Sequence, residues 1–180
     1  MKKQQTMVKM AIIAIALSTS IMANAQFSQK GDWGMLVGGD FKIGIHEILP
    51  DFGIYFGAQW NASNPIRLEA SLGYGLENEY GVSTVEFNIN MHWLLPMRSD
   101  RINLYPLVGF NSIVAMTDLE TTDAFQGLNL GIGLDILITQ NSFLNIELRY
   151  NTEWEGTILR IGGVRRLGDA ARRPVGARRR

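Results

Sequence analysis

One feature restricts the fold of this chain more than any other: apolar and hydrogen-bonding side chains alternate along successive stretches of the sequence. In residues 85–93, Val-Glu-Phe-Asn-Ile-Asn-Met-His-Trp, every second side chain is apolar. A pleated strand sends successive side chains to opposite faces, so each stretch predicts a strand with one apolar and one polar face. We expect eight such strands, at residues 33–42, 52–60, 66–76, 85–93, 102–112, 128–138, 144–151 and 157–167.

The number and length of these strands indicate how they are arranged. A strand of about 9 to 11 residues crosses a bilayer when it is tilted, and most of the stretches have this length. An even number of antiparallel strands closes into a barrel with its apolar face toward lipid and its polar face toward the lumen. We therefore predict an all-β chain that forms an eight-stranded, antiparallel, up-and-down transmembrane β-barrel.

The two ends of the chain differ from this central region. Residues 1–25 carry three lysines, an apolar core and the small-residue site Ala-Asn-Ala, which predicts a secretory signal peptide cleaved after Ala25. Its apolar core is short for a spanning helix, which needs about 20 residues. We expect residues 26–167 to form the barrel and the Arg-rich residues 168–180 to be a disordered tail.

The net charge of zero conceals three dissimilar regions. The predicted barrel contains 16 acidic and 9 basic residues, a balance of −7, whereas the signal adds +3 and the tail adds +4. The barrel region therefore lacks the basic face that nucleic acid requires, and we expect no nucleic-acid partner. The chain contains no cysteine, so neither a disulfide nor a lipid-anchored cysteine is available.

Aromatic residues indicate the orientation of the barrel. Short, turn-rich connections at 61–65, 96–101 and 139–141 suit the periplasmic side, with both termini there, and 44–51, 77–81, 113–126 and 152–156 then face outside. Amphipathic rings favour the interfaces of a bilayer. In this topology Trp33, Trp60 and Trp93 fall at periplasmic strand ends and Phe52, Tyr74 and Tyr150 at outer ends.

The polar set predicts what fills the lumen. An eight-stranded barrel is just wide enough for its own side chains to fill it. Ten charged or titratable residues are expected inside: Asp40, Lys42, Arg67, Glu69, Glu86, His92, Asp135, Glu147, Arg149 and Arg160. Hairpin register places Glu147 near Arg160, and Arg67 near His92. Because buried charges need partners, we predict a structural ion network and a plugged lumen.

The signal peptide and the Gly-rich strands at 72–75 and 128–133 resemble the small outer-membrane β-barrel family, in particular eight-stranded OmpX-like and porin-family members. The resemblance covers residues 26–167 and implies fold, outer-membrane lipid and the barrel-insertion machinery as partners, and a Gram-negative outer-membrane location. Family members typically end on an aromatic residue that the insertion machinery reads. Here Leu167 stands at that position, and the chain continues to Arg180.

Function is less constrained than fold. We expect a non-enzymatic barrel with a structural or surface-interaction role through its short outer loops, and no cofactor, catalytic or metal site. A narrow channel, a lipid-modifying enzyme and a soluble lipocalin-like periplasmic carrier remain alternatives. The enzyme would have to use His46 or His92 with Ser83, Ser112, Thr117 or Asp118, while the carrier would turn its apolar face inward. The acidic segments 116–124 and 152–156, the second of which contains Trp154, are the candidate site for an unidentified surface ligand.

Overall fold

A computed structural model describes residues 30–43, 52–97, 99, 101–117, 121–153 and 155–167. Eight antiparallel strands form one closed barrel in which each strand pairs with the next and β8 pairs with β1. The strands are β1 (Trp33–Ile43), β2 (Phe52–Trp60), β3 (Ile66–Gly75), β4 (Val82–Trp93), β5 (Ile102–Thr117), β6 (Thr121–Thr139), β7 (Ser142–Asn151) and β8 (Gly156–Leu167). The predicted fold class is confirmed. The predicted signal peptide and tail lie outside the described residues, which include no helix long and apolar enough to cross a bilayer.

The two faces of the barrel have opposite chemistry. The outward side chains of Met35 and Phe56 are 58 % and 62 % exposed, whereas the inward side chain of Glu69 is 2 % exposed. A soluble carrier requires the reverse arrangement, because water would contact the apolar face. The orientation of the two side-chain sets therefore rules out the lipocalin-like alternative.

The outer ends of β5 and β6 correct one prediction. Residues 113–126 do not form a long loop, because strand pairing continues to Met116 and Thr121 and leaves only 118–120 between the strands, outside the described residues. Ile113 and Ala115 point inward yet are apolar, so apolar residues occupy both faces and the alternation disappears. A strand prediction that relies on polar residues at inward positions therefore misses this part of β5. At its start, β4 likewise extends three residues beyond the prediction, to Val82.

Two inward glycines make room for large rings in the lumen. Tyr105 lies opposite Gly133 in the β5–β6 ladder, and a Cβ on that glycine would overlap the tyrosine ring. Tyr55 lies opposite Gly38 in the β1–β2 ladder, where a Cβ would approach the tyrosine hydroxyl to 2.7 Å. Each tyrosine therefore covers the backbone of the glycine on the neighbouring strand.

Candidate functional site

All ten residues predicted for the lumen lie inside the barrel and are 5 % exposed or less: Asp40, Lys42, Arg67, Glu69, Glu86, His92, Asp135, Glu147, Arg149 and Arg160. They comprise five carboxylates, four permanent cations and one histidine, so their charges nearly balance. Strand alternation accounts for this placement, because each residue occupies the inward parity of its strand.

Glu69 on β3 is the centre of the network. Its Oε1 accepts hydrogen bonds from Arg149 Nη2 at 2.7 Å and from Arg160 Nη1 at 3.3 Å. Asn90 Nδ2 donates to the same oxygen at 3.2 Å, and Gln59 Nε2 donates to Oε2 at 3.1 Å. One carboxylate thus links the neighbouring strands β2, β3 and β4 with β7 and β8, which lie on the far side of the lumen and much later in the sequence.

Glu147 forms a second centre toward β5 and β6. It pairs with Arg149 and accepts a hydrogen bond from the Tyr105 hydroxyl at 2.6 Å. Asn145 Nδ2 donates to Tyr105 at 2.6 Å and to Asp135 Oδ1 at 2.8 Å. Because charge-assisted hydrogen bonds are the strongest class, this pairing compensates part of the desolvation of the buried ions.

The predicted register is confirmed, and so is the Arg67–His92 contact, but the expected ion pair between Glu147 and Arg160 does not form. Glu147 faces Arg160, and Arg67 faces His92. Arg160 nevertheless reaches across the lumen to Glu69 and lies over the Tyr55 ring at 3.5 Å. Arg67 Nε does donate to His92 Nδ1 at 3.0 Å, while its Nη1 pairs with Asp135 at 2.6 Å. The long side chains of Arg67 and Arg160 thus reach partners across the narrow lumen as well as along the strand ladder.

A layer of asparagines lies beside the ions. Asn111 and Asn129 both donate to Asn88 Oδ1, at 2.8 Å and 2.9 Å, and Asn151 donates to Asn129 Oδ1 at 3.1 Å. These four residues belong to β4, β5, β6 and β7. The amide layer was not singled out from the sequence, although each asparagine occupies an inward position of the alternation.

Apolar clusters close the lumen on either side of these polar layers. At the outer end Val82, Ile113, Ala115 and Ile158 are buried together, with Phe125 packed against them. At the end that holds the chain termini the buried set is Leu36, Tyr55, Phe143 and Val164, with Leu137 packed against it. A cavity of about 20 Å³ beside Asp32, Asn61 and Arg166 has room for about one water molecule.

Three buried residues bring potential metal-ligand atoms close together. One atom from each of Glu69, His92 and Glu147 lies within 4.8 Å of the others. Arg67 donates to His92 Nδ1, so the proton of a neutral imidazole sits on Nε2, the atom that faces both carboxylates. The carboxylate oxygens facing His92 already accept from Gln59 and Tyr105. This arrangement suits a hydrogen-bonded network rather than a cation.

The predicted aromatic positions lie at strand ends. Trp33 begins β1 and faces Trp60 at the end of β2, and their rings stack with centroids 5.9 Å apart. Trp93 ends β4 at the same rim. At the opposite rim Phe52 begins β2, and Tyr74 and Tyr150 lie one residue before the ends of β3 and β7. All of these except Trp93 are exposed on the outward face.

Sequence comparison supplies the family. The profile of the outer membrane protein beta-barrel domain matches residues 12–159, which is most of the chain. The chain belongs to the outer membrane protein β-barrel family. It is a transmembrane β-barrel of the Gram-negative outer membrane. No curated protein matches the sequence of this family member significantly.

Solved structures of small outer-membrane barrels resemble this family member in fold. The N-terminal β-barrel domain of Pseudomonas aeruginosa OprF is 12 % identical with a TM-score of 0.65, over 78 % of this chain and 100 % of that one. Neisserial surface protein A is 15 % identical with a TM-score of 0.60, over 77 % and 97 %. Yersinia pestis Ail, in complex with the heparin analogue sucrose octasulfate, is 12 % identical with a TM-score of 0.55, over 77 % and 100 %.

Of the residues considered for a lipid-modifying enzyme, the described ones, His92, Ser83 and Ser112, do not come together. His92 is fully buried in the lumen, so it is separated by the barrel wall from the lipid-facing surface. Ser83 pairs with Met116 and Ser112 pairs with Phe87, which puts the two serines four positions apart along the β4–β5 ladder. His46, Asp118 and Trp154 lie outside the described residues, as does the Thr117 side chain.

Proposed function

We propose that this outer-membrane barrel is a closed, non-enzymatic scaffold whose lumen is plugged by its own side chains. The observation that carries the proposal is the set of buried side chains along the lumen. Buried ions and amides occupy its middle, and apolar clusters occupy both ends. An eight-stranded barrel is narrow enough for such filling to be complete. This favours a structural role over the alternative of a narrow channel.

Conductance of the purified barrel in planar bilayers tests this proposal. We expect no stable openings from the wild type, because buried side chains occupy the middle of the lumen and both of its ends. A variant carrying Ile113→Ala, Ile158→Ala, Arg149→Ala and Phe143→Ala truncates both apolar clusters and removes one central cation, and we expect it to leak. Heat-modifiability gels establish that both proteins are folded. Stable open channels in the wild type would overturn the plugged-lumen proposal.

A role in surface interaction rests on the short outer connections. Glu77 and Glu79 are exposed between β3 and β4, together with Tyr80, which is 60 % exposed. Glu153 and Glu155 are exposed between β7 and β8. Loops held by a rigid scaffold are common recognition sites. The partner that suits these groups is cationic, and a polyanion such as the heparin analogue in the Ail structure would meet carboxylates.

Loop exchange tests this second role. Replacing residues 77–80, 118–120 and 152–155 by Gly-Ser segments leaves the residues of all eight strands unchanged, whereas exchanging the whole acidic segment 116–124 would remove the ends of β5 and β6. We expect the barrel to fold as before and to lose binding to cationic surfaces. Binding of the heparin analogue, or undiminished surface binding after the exchange, would contradict the assignment.

A further inference from the structure

Among the strand residues whose side chains the structure describes, one charged side chain, Arg165 of β8, lies on the outward face. Every other acidic or basic residue in this set occupies an inward position. The remaining outward positions are apolar, aromatic, glycine or uncharged polar residues. A charge on the lipid face is costly at the middle of a bilayer and is tolerated near its interfaces. The energetic cost of Arg165 therefore depends on its depth in the bilayer, which its position along β8 determines.

Arg165 lies close to the interface that the tryptophans mark. Its ladder partners are Met35 on β1 and Ser142 on β7. The next outward layer toward the strand end consists of Leu167, Trp33 and Trp60, which face one another across three strands. Arg165 is exposed, and within the described part of the chain it has no ion-pair partner. Its guanidinium is therefore presented to the headgroup region just inside the tryptophan layer.

The surroundings of Arg165 suit a phosphate group followed by a hydrocarbon chain. A guanidinium donates a planar pair of N–H groups that match two phosphate oxygens. Ser142, directly opposite on β7, occupies the same outward face and supplies a hydroxyl. Gly163 is the next outward residue toward the bilayer centre, and the nearest atom to a Cβ built on it is 4.0 Å away. The surface is therefore shallow beside the arginine stem.

We propose that Arg165 and Ser142 bind the phosphate of an anionic phospholipid, with an acyl chain passing over Gly163. In the predicted orientation this lipid belongs to the inner leaflet. The site differs from general attraction by the other cations of this rim, since Lys30 and Arg101 are exposed beyond the strands. An arginine that only extended into water would show no preference between lipids, and this distinguishes it from the proposed site.

Tryptophan quenching by brominated lipids tests the site in the folded barrel. In a background carrying Trp93→Phe and Trp154→Phe, the remaining reporters are Trp33 and Trp60, beside the proposed site. The barrel is placed in bilayers containing brominated phosphatidylglycerol or brominated phosphatidylcholine. We expect about fivefold preference for the anionic lipid, which corresponds to one basic residue near an anionic surface. Arg165→Gln should reduce this preference to near unity.

Arg101→Gln is the matched control, because it removes the same charge from the same rim without changing the outward strand face. It should retain the preference, and Arg165→Lys should give an intermediate value, because lysine keeps the charge but loses the paired N–H donors. Heat-modifiability gels check folding of each variant. Equal quenching by both lipids in the wild type, or an equal loss in Arg101→Gln, would overturn the proposal.

Discussion

The middle of the lumen and its outer end are filled by side chains of different chemistry. In the middle, Glu69 and Glu147 hold Arg149 between them, and the Asn90 amide also donates to Glu69. At the outer end Val82, Ile113 and Ile158 fill the same cross-section with hydrocarbon. The middle depends on each ion keeping its partner, whereas the outer end depends only on occupied volume. The same barrel wall therefore supports two kinds of interior with different sensitivity to substitution.

Removing the central carboxylate should have the largest effect. Glu69→Ala leaves Arg149 and Arg160 without their shared acceptor in a dry interior. Loss of one partner from a buried ion pair costs about 3 to 5 kcal/mol of unfolding free energy. Urea unfolding in lipid vesicles, followed by tryptophan fluorescence, measures the loss. A value below about 1 kcal/mol would show that the middle of the lumen tolerates unpaired ions.

Truncation at the outer end should have the next largest effect. Ile113→Ala removes three carbons from a side chain that is 0 % exposed, and we expect a loss of about 3 kcal/mol through lost burial and a cavity. Leu130→Ala is the control, because Leu130 faces outward and is 47 % exposed, so lipid fills the space it leaves. The same unfolding measurement applies to both. Equal losses would mean that the outer cluster is not packed as a core.

Removal of one hydroxyl should have a moderate effect in the middle of the lumen. Tyr105→Phe keeps the ring over Gly133 but removes the donor to Glu147 and the acceptor for Asn145. Leaving these groups unsatisfied costs about 1 to 3 kcal/mol. Comparison with Tyr105→Leu, which also removes the ring stacked on His92, separates the hydroxyl from the ring. If Tyr105→Phe unfolds like the wild type, the hydroxyl adds nothing to the network.

A carboxylate outside the lumen should matter least. Glu153 is exposed in the connection between β7 and β8. Glu153→Gln is expected to change the unfolding free energy by less than about 0.5 kcal/mol, as surface substitutions usually do. Unfolding in the same vesicles provides the check. A loss comparable with that of Glu69→Ala would remove the distinction between lumen and surface carboxylates.

Side-chain alternation predicts much of this barrel because its period is local. It indicates eight strands, their closure and which residues of each strand face the lumen. It also sets the ladder pairs Glu147 with Arg160 and Arg67 with His92, since hairpin register follows from short connections. The bounds of β2 agree with the prediction at both ends. Over its whole length, outward apolar residues alternate with inward glycine, tyrosine or glutamine.

The same reasoning fails where the lumen is apolar. Ile113 and Ala115 alternate with Val114 and Met116, so neither face of β5 is marked as polar, and the strand is mistaken for a loop. The sequence also offers no signal that Ile113, Val82 and Ile158 meet, because they lie on different strands. Their contact follows from closure of the barrel, which puts β8 within reach of β4 and β5 across the lumen.

Alternation alone establishes that the chain forms a barrel with apolar residues toward lipid and ionisable residues inside. It does not establish which ions pair. Arg149 reaches Glu69, 80 residues earlier, and Arg160 reaches the same carboxylate from 91 residues later. Long, flexible guanidinium groups have several carboxylates within reach in a narrow lumen. Their partners are chosen by distance across the closed cylinder, and that distance exists only once all eight strands have met.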